Sequence, residues 1–388
     1  MANNNRIVMI DALRGYALLG LFLVHMIEYF ELFWLSPQPT NVTDTLFLLF
    51  GGKAYAMFAL IFGVSLFIIM NNQQQKGINF APRFCWRLTL LLVMGLLHGL
   101  LYGGDILQIL AITGLLLLPC YWLSATSIFL LAAFFILQGP MLIEYIIIQL
   151  QGITTYTQPL AYSMHGSVAQ VYATGSFSEV LIKNMIDGGH TKWLFMLETG
   201  RVTTIFGMGL LGLGLSKIGF FNNKRPFTKT LFGSITACLV LSLILYFYRD
   251  QLVTAFGTLH KGHSFWLISA ILKKIMEAAM TLFSITLFIA LFIYTPARKL
   301  FMLLAPCGRM SLTIYIGQSI IFVPVFYGFG AGGYTYFGQA SALIVGLVFW
   351  VVQTVACNWW FKHYHFGPLE WCWRAATWLS TSTPFKRA

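Results

Sequence analysis

The stretch "RIVMIDALRGYALLGLFLVHMIEYF", residues 6–30, carries Asp11, Arg14, His25 and Glu28 inside a run that is otherwise apolar enough for a membrane helix. An imidazole beside a carboxylate is suited to moving protons, and a guanidinium is suited to holding phosphate or carboxylate oxygens. Arg14 and His25 are eleven residues apart, which on an α-helix is roughly 1100° of rotation, three turns plus about 20°, and about 16 Å of rise. They therefore share one face at different depths. Asp11 precedes Arg14 by three residues and Glu28 follows His25 by three, so each pair can meet as i,i+3 neighbours on that stripe. A charge facing lipid near mid-membrane costs about 2.5–3.5 kcal/mol, so the stripe must face protein or water. Two readings stay open for each pair. Asp11 and Arg14 are either an anchoring ion pair or a ligand site, and His25 is either a satisfied core histidine or a proton-transfer group oriented by Glu28.

Further polar residues fall in apolar runs. Lys53 stands at the mouth of the second helix, whose glycines at 52 and 63 allow close helix contact. His98 lies toward the end of the third, before the turn Gly103-Gly104-Asp105. Asp105 is expected first as a helix N-cap, with catalysis as the alternative. Glu198 and Arg201 form another i,i+3 pair, while Arg309 and Gln318 fall within a later span. Together they predict a polar cavity lined by several helices, with Arg14, His25, His98 and Arg309 facing it.

The elements that must position these groups follow from composition. With 58% hydrophobic and 9% charged residues and a mean hydropathy of +0.76, the chain is excluded from the soluble globular class. The expected fold is all-α: a polytopic transmembrane helical bundle of about ten spans, near 8–34, 52–71, 84–102, 105–122, 125–149, 194–219, 231–248, 269–295, 299–326 and 337–362, forming one integral membrane domain over 1–388. The net charge of +12 raises nucleic acid as a partner, but the basic residues fall mainly in connectors, so the expected partner is the lipid bilayer and no nucleic acid. The connectors with Lys76, Arg83 and Arg87, with Lys217, Lys224, Arg225 and Lys229, and with Arg298 and Lys299 fall on one side, as do both termini; by charge bias that side is cytoplasmic. The opposite segment, about 150–192, is expected to include a surface helix at "SFSEVLIKNMI", and "SFWLISAILKK" to lie at the interface with Lys273 and Lys274 snorkelling to water. The six cysteines lack paired spacing and are read as free thiols, and the N-terminal stretch lacks a cleavage site, so the first helix is expected to be retained. No metal and no tightly bound cofactor is expected.

The motifs "IDALRGYALLGLFLVHM", "GKAYAMFALIFGVSL", "GLLHGLLYGGDILQILAITGLLLLP", "FGMGLLGLGLSKIG", "GRMSLTIYIGQS" and "FGPLEWCWR" occur in order along the chain. Through them the chain resembles the bacterial YeiB-like membrane family, a domain of unknown function, over nearly its full length. It departs at Ile314, where members commonly carry Asn, and at His25, often Asn in the family. The first helix is in turn similar to transmembrane acyltransferases, the O-acetyltransferases and the lysosomal heparan glucosaminide acetyltransferase, through Leu-Arg-Gly and an Arg followed by ten residues and a His, here Arg14 and His25. The resemblance implies acyltransferase-like helices over about 1–150, the outer segment 150–192, and family-typical helices over about 193–378. It implies cytosolic acyl-CoA as co-substrate, with Asp11 and Arg14 at its phosphates or pantetheine. It further implies His25, with Glu28, as base or acyl carrier for a cell-envelope glycan or lipid acceptor, in a bacterial cytoplasmic (inner) membrane. Lys53, His98 or Arg309 would stabilise the intermediate. The competing class is a transporter of a small solute, which the same stripe would serve, although no internal repeat supports it.

Overall fold

Inside lipid every backbone N–H and C=O must be satisfied within the protein, and helices do this segment by segment. The computed structural model describes residues 8–30, 32–152, 159–221, 228–257 and 262–387, and among them it is nearly all helix with no named strand. Lys224 and Arg225, counted above as basic connector residues, lie outside the described residues.

The N-terminal half comprises α1 (Val8–His25), α2 (Asn41–Leu49), α3 (Ala54–Gln74), α4 (Ala81–Leu101), α5 (Leu107–Leu117), α6 (Ala125–Ile136) and α7 (Gly139–Gln151). Next come α8 (Leu160–Thr174), α9 (Phe177–Lys183), α10 (Gly189–Glu198) and α11 (Arg201–Lys217). The remainder comprises α12 (Thr228–Gly257), α13 (His263–Tyr294), α14 (Arg298–Met302), α15 (Ala305–Arg309), α16 (Ser311–Phe326), α17 (Gln339–His363) and α18 (Pro368–Trp378). Among the described residues six helical segments are long and apolar enough to cross a membrane, and three bent pairs raise the number to nine if each is one span; Leu107–Trp122 is a shorter apolar segment.

Three expected continuous spans are broken. α6 and α7 bend by 55°, the α9–α10 segment and α11 by 68°, and α14–α15 and α16 by 78°. At the second break Gly200 holds φ +68°, a left-handed conformation that only glycine adopts cheaply. The surface helix expected at "SFSEVLIKNMI" is the first part of that bent pair; most of it is exposed, and buried Asn184 anchors it by donating to the Leu100 carbonyl at 2.9 Å. "SFWLISAILKK" likewise is no separate interfacial stretch. It forms the first turns of α13, a single helix of 32 residues.

α1 is buried on nearly all sides, whereas α12 packs against α13 and leaves most of its apolar surface outward. Small residues set the tightest crossings. A Cβ on Gly63 of α3 would land on the carbonyl oxygen of Gly209 in α11, and one on Gly212 on that of Leu60, so the two backbones touch. At the other end of α1, Gly15 meets the Leu304 carbonyl and Gly308 meets that of Asp11. The tail helix α18 docks on the start of α4, the basic connector end: Arg83 donates to the Thr377 carbonyl at 3.0 Å and Trp86 to that of Ala376 at 3.0 Å. Glu370, in the first turn of α18, serves another helix. It caps α16, accepting from Leu312 N at 2.7 Å, Thr313 N at 3.1 Å and Thr313 Oγ1 at 2.6 Å.

Candidate functional site

α4 ends one turn past His98, and the backbone reverses through Tyr102, Gly103 and Gly104 before α5 begins. Asp105, fully buried in that reversal, has both expected roles. Its Oδ1 accepts from Leu107 N and its Oδ2 from Gln108 N, each at 3.2 Å, which is the cap. Its Oδ1 also lies 2.8 Å from His98 Nδ1, so the carboxylate fixes the imidazole ring, and the Lys192 ammonium stands 3.9 Å from Oδ2. His98 Nε2 is buried and has no hydrogen-bond partner among the described residues. A ring held at Nδ1 by a buried carboxylate, with Nε2 uncommitted, is arranged to accept a proton at Nε2.

His25 ends α1 and is followed by a π-helical turn, Met26–Phe30. Both imidazoles stand against the same two tyrosines: the His25 ring centroid is 5.2 Å from that of Tyr102 and 6.1 Å from that of Tyr315, and His98 is 5.6 and 5.1 Å from the same rings. The Tyr315 hydroxyl donates to the Gly104 carbonyl and accepts from Ile106 N, both at 3.1 Å, so α16 is tied to the turn that carries Asp105. Neighbouring Ile314 is buried among apolar groups, which accommodates its departure from the usual Asn.

His25 opens on a cavity of about 1030 Å³ whose wall also carries Glu28, Lys53, Tyr55 and Arg201. Glu28 accepts from Trp34 Nε1 at 2.9 Å. The Lys53 ammonium donates to the Phe47 and Gly51 carbonyls, each at 2.9 Å, at the end of α2. Arg201 lies over the rings of Phe195 and Tyr55, 4.5 and 5.5 Å from their centroids. The remaining charges are Asp44 of α2 and Lys273, Lys274 and Glu277 of α13, with Lys274 Nζ 2.6 Å from Glu277 Oε2. Reading Lys273 and Lys274 as snorkelling at the interface missed them. The signal was present, because Lys274 and Glu277 repeat the i,i+3 spacing of the first helix. Gly52 makes room for this ion pair: its φ is +74°, and a Cβ there would lie 2.7 Å from the Glu277 carboxyl.

Other expected site residues lie elsewhere. Arg14 pairs with Asp11 at 3.3 Å and donates to Ser65 Oγ at 2.8 Å and to the Gly308 carbonyl at 3.3 Å, so it ties α1 to α3 and α15. Arg309 stacks on Phe361, 3.8 Å from the ring centroid, and donates to the His365 carbonyl. Gln318 donates to Gln353 at 2.9 Å, and Glu198 accepts from Leu160 N at 3.2 Å. The shared cavity expected for Arg14, His25, His98 and Arg309 is thus corrected. His25 alone of the four lines it, His98 stands against the same tyrosines without reaching its wall, and the two arginines are used in helix contacts.

Residues 6–161, which supply α1 to α7 with both histidines and Asp105, match the catalytic region of the family described as "Heparan-alpha-glucosaminide N-acetyltransferase, catalytic". Residues 215–380, which supply Lys273, Lys274, Glu277 and Tyr315, match the family "Protein of unknown function (DUF418)". The chain is 25% identical to "Uncharacterized protein YeiB" of Escherichia coli (strain K12), over 96% of each protein. Over nearly its full length the chain is thus similar to YeiB. It is also similar to "Uncharacterized protein YxaH" of Bacillus subtilis (strain 168), at 26% identity over 97% of this chain and 95% of that one. A third relative, the "Uncharacterized 39.9 kDa protein in amylase 3'region" of Bacillus acidopullulyticus, is 27% identical with the same coverage. The cavity wall therefore joins residues from both matched regions, and Arg201 comes from the stretch between them.

Proposed function

We propose that this YeiB-like chain is an acyltransferase of a bacterial cytoplasmic membrane, moving an acyl group from acyl-CoA to a hydroxyl or amine on a cell-envelope acceptor. The observation that carries the reading is the pair of imidazoles on α1 and α4, one open to a large cavity and the other fixed by buried Asp105, both against Tyr102 and Tyr315. His25 takes the proton of the acceptor hydroxyl as its oxygen attacks the thioester carbonyl. The tetrahedral intermediate collapses with cleavage of the C–S bond, and the imidazolium returns its proton to the departing thiolate. His98 and Asp105 act as positioning groups, holding the tyrosines against which the His25 ring packs. Arg14 serves the bundle through its contacts with Asp11, Ser65 and the Gly308 carbonyl.

The test is transfer of label from radiolabelled acetyl-CoA to a cell-envelope extract by the full chain in proteoliposomes. His25→Asn keeps polarity and cannot accept the proton, so transfer falls by about two to four orders of magnitude. His98→Asn lowers the rate less and shifts its pH profile. Full transfer by His25→Asn overturns the catalytic assignment. Absence of transfer by the parent, together with solute flux that depends on His25, replaces the enzyme with a transporter.

A further inference from the structure

The cavity that His25 opens on carries four cations, Lys53, Arg201, Lys273 and Lys274, against three carboxylates, Glu28, Asp44 and Glu277. Lys273 stands ten residues into α13, roughly 15 Å along its axis, and is exposed through the cavity it lines. Among the described residues its ammonium makes no hydrogen bond or ion pair of its own, although the carboxylates of Glu28 and Glu277 are near enough to act on its charge and Glu277 is paired with Lys274 at 2.6 Å. Arg201 adds a further cation, lying over Tyr55. Tyr55 itself is 6% exposed, lines the same cavity, and its hydroxyl has no hydrogen-bond partner among the described residues. Excess positive charge beside an orphaned O–H donor, inside a membrane bundle, is stabilised by an anion with several acceptor oxygens.

We propose that Tyr55, Arg201, Lys273 and Lys274 form the seat of a phosphate ester. The same cavity is lined by Val24, Phe47, Trp266 and Met276, so it offers apolar surface next to the cations, which suits the phosphate headgroup of an anionic membrane amphiphile. Resting on the acyltransferase reading, this makes the acceptor a phosphate-bearing amphiphile whose hydroxyl reaches His25, which lines the same cavity. The other source of the same chemistry is the phosphates of CoA.

The full chain in phosphatidylcholine nanodiscs is titrated by microscale thermophoresis with dioctanoyl-phosphatidylglycerol, with CoA and with inorganic phosphate. Phosphatidylglycerol is expected to bind and to be displaced by inorganic phosphate. Lys273→Ala, at an exposed position, weakens its binding by about tenfold or more, and Tyr55→Phe, which removes one hydroxyl, by about threefold. If CoA binds in a Lys273-dependent manner and phosphatidylglycerol does not, the phosphate seat stands and the acceptor assignment falls. Phosphatidylglycerol and CoA binding that both variants leave unchanged overturns the seat itself. The binding measurement needs no turnover. Lys273-dependent binding without acyl transfer therefore refutes the enzyme reading alone, and transfer with Lys273-independent binding refutes this inference alone.

Discussion

Asp105 carries two separable loads, and a double-mutant cycle with His98 tells them apart. Asp105→Ala removes the acceptor of two α5 backbone N–H groups, each at 3.2 Å, and the partner of His98 Nδ1 at 2.8 Å. Loss of the cap costs about 1 kcal/mol, and loss of a charge-assisted hydrogen bond costs about 1.5–3 kcal/mol. The sum, about 2.5–4 kcal/mol, is a large fraction of ordinary folding stability. Asp105→Asn retains one capping oxygen and the side-chain shape, so it loses chiefly the ionic part. Its amide also presents N–H to His98 Nδ1, which drives the ring proton to Nε2. Asp105→Asn is thus expected to cost less stability than Asp105→Ala while still altering the ring that Tyr102 and Tyr315 pack against. Equilibrium unfolding in mixed SDS–detergent micelles measures the four corners of the cycle: parent, Asp105→Ala, His98→Ala and the double variant. A coupling energy of about 1.5–3 kcal/mol between the two sites is expected. Additive effects refute the argument that the carboxylate holds the imidazole, and equal losses for Asp105→Ala and Asp105→Asn refute the division between cap and charge.

Arg14→Ala should destabilise the bundle by about 1.5–3 kcal/mol, since it removes charge-assisted hydrogen bonds to Asp11, Ser65 and the Gly308 carbonyl that tie α1 to α3 and α15. CoA affinity in the protein that remains folded should be unchanged; the same micelle unfolding and a CoA titration measure both. Burial pushes the Glu370 carboxyl above the usual carboxylate range, although the bonds from Leu312 N, Thr313 N and Thr313 Oγ1 pull it back. The folded protein thus holds this proton more tightly than the unfolded chain. Its ionisation destabilises the fold as pH rises from the unfolded value near 4.5 through the higher folded one. Stability measured from pH 7 downward should rise in that window in the parent, and Glu370→Gln should flatten the rise.

Hydropathy and charge spacing were enough to read this chain as a helical membrane protein, because the hydrocarbon layer permits few alternatives. They also established the Asp11–Arg14 pair and the cap at Asp105, since both are contacts between residues three apart or fewer. The breaks at Gln138, Gly200 and Met310 were not legible in hydropathy, which averages over a window and does not register a single left-handed or capped residue. Nor was the company each charge keeps. Arg14 and His25 share a stripe on α1, yet the close crossing at Gly15 and Gly308 brings α15 onto Arg14, whereas the π turn after His25 leaves that end open to the cavity. Lys273 and Lys274 read as interfacial until α13 proved continuous and turned them inward. Spacing along a helix determines which face a side chain occupies. What that face meets depends on residues hundreds of positions away, and only the packed bundle brought His98, Tyr315 and His25 together.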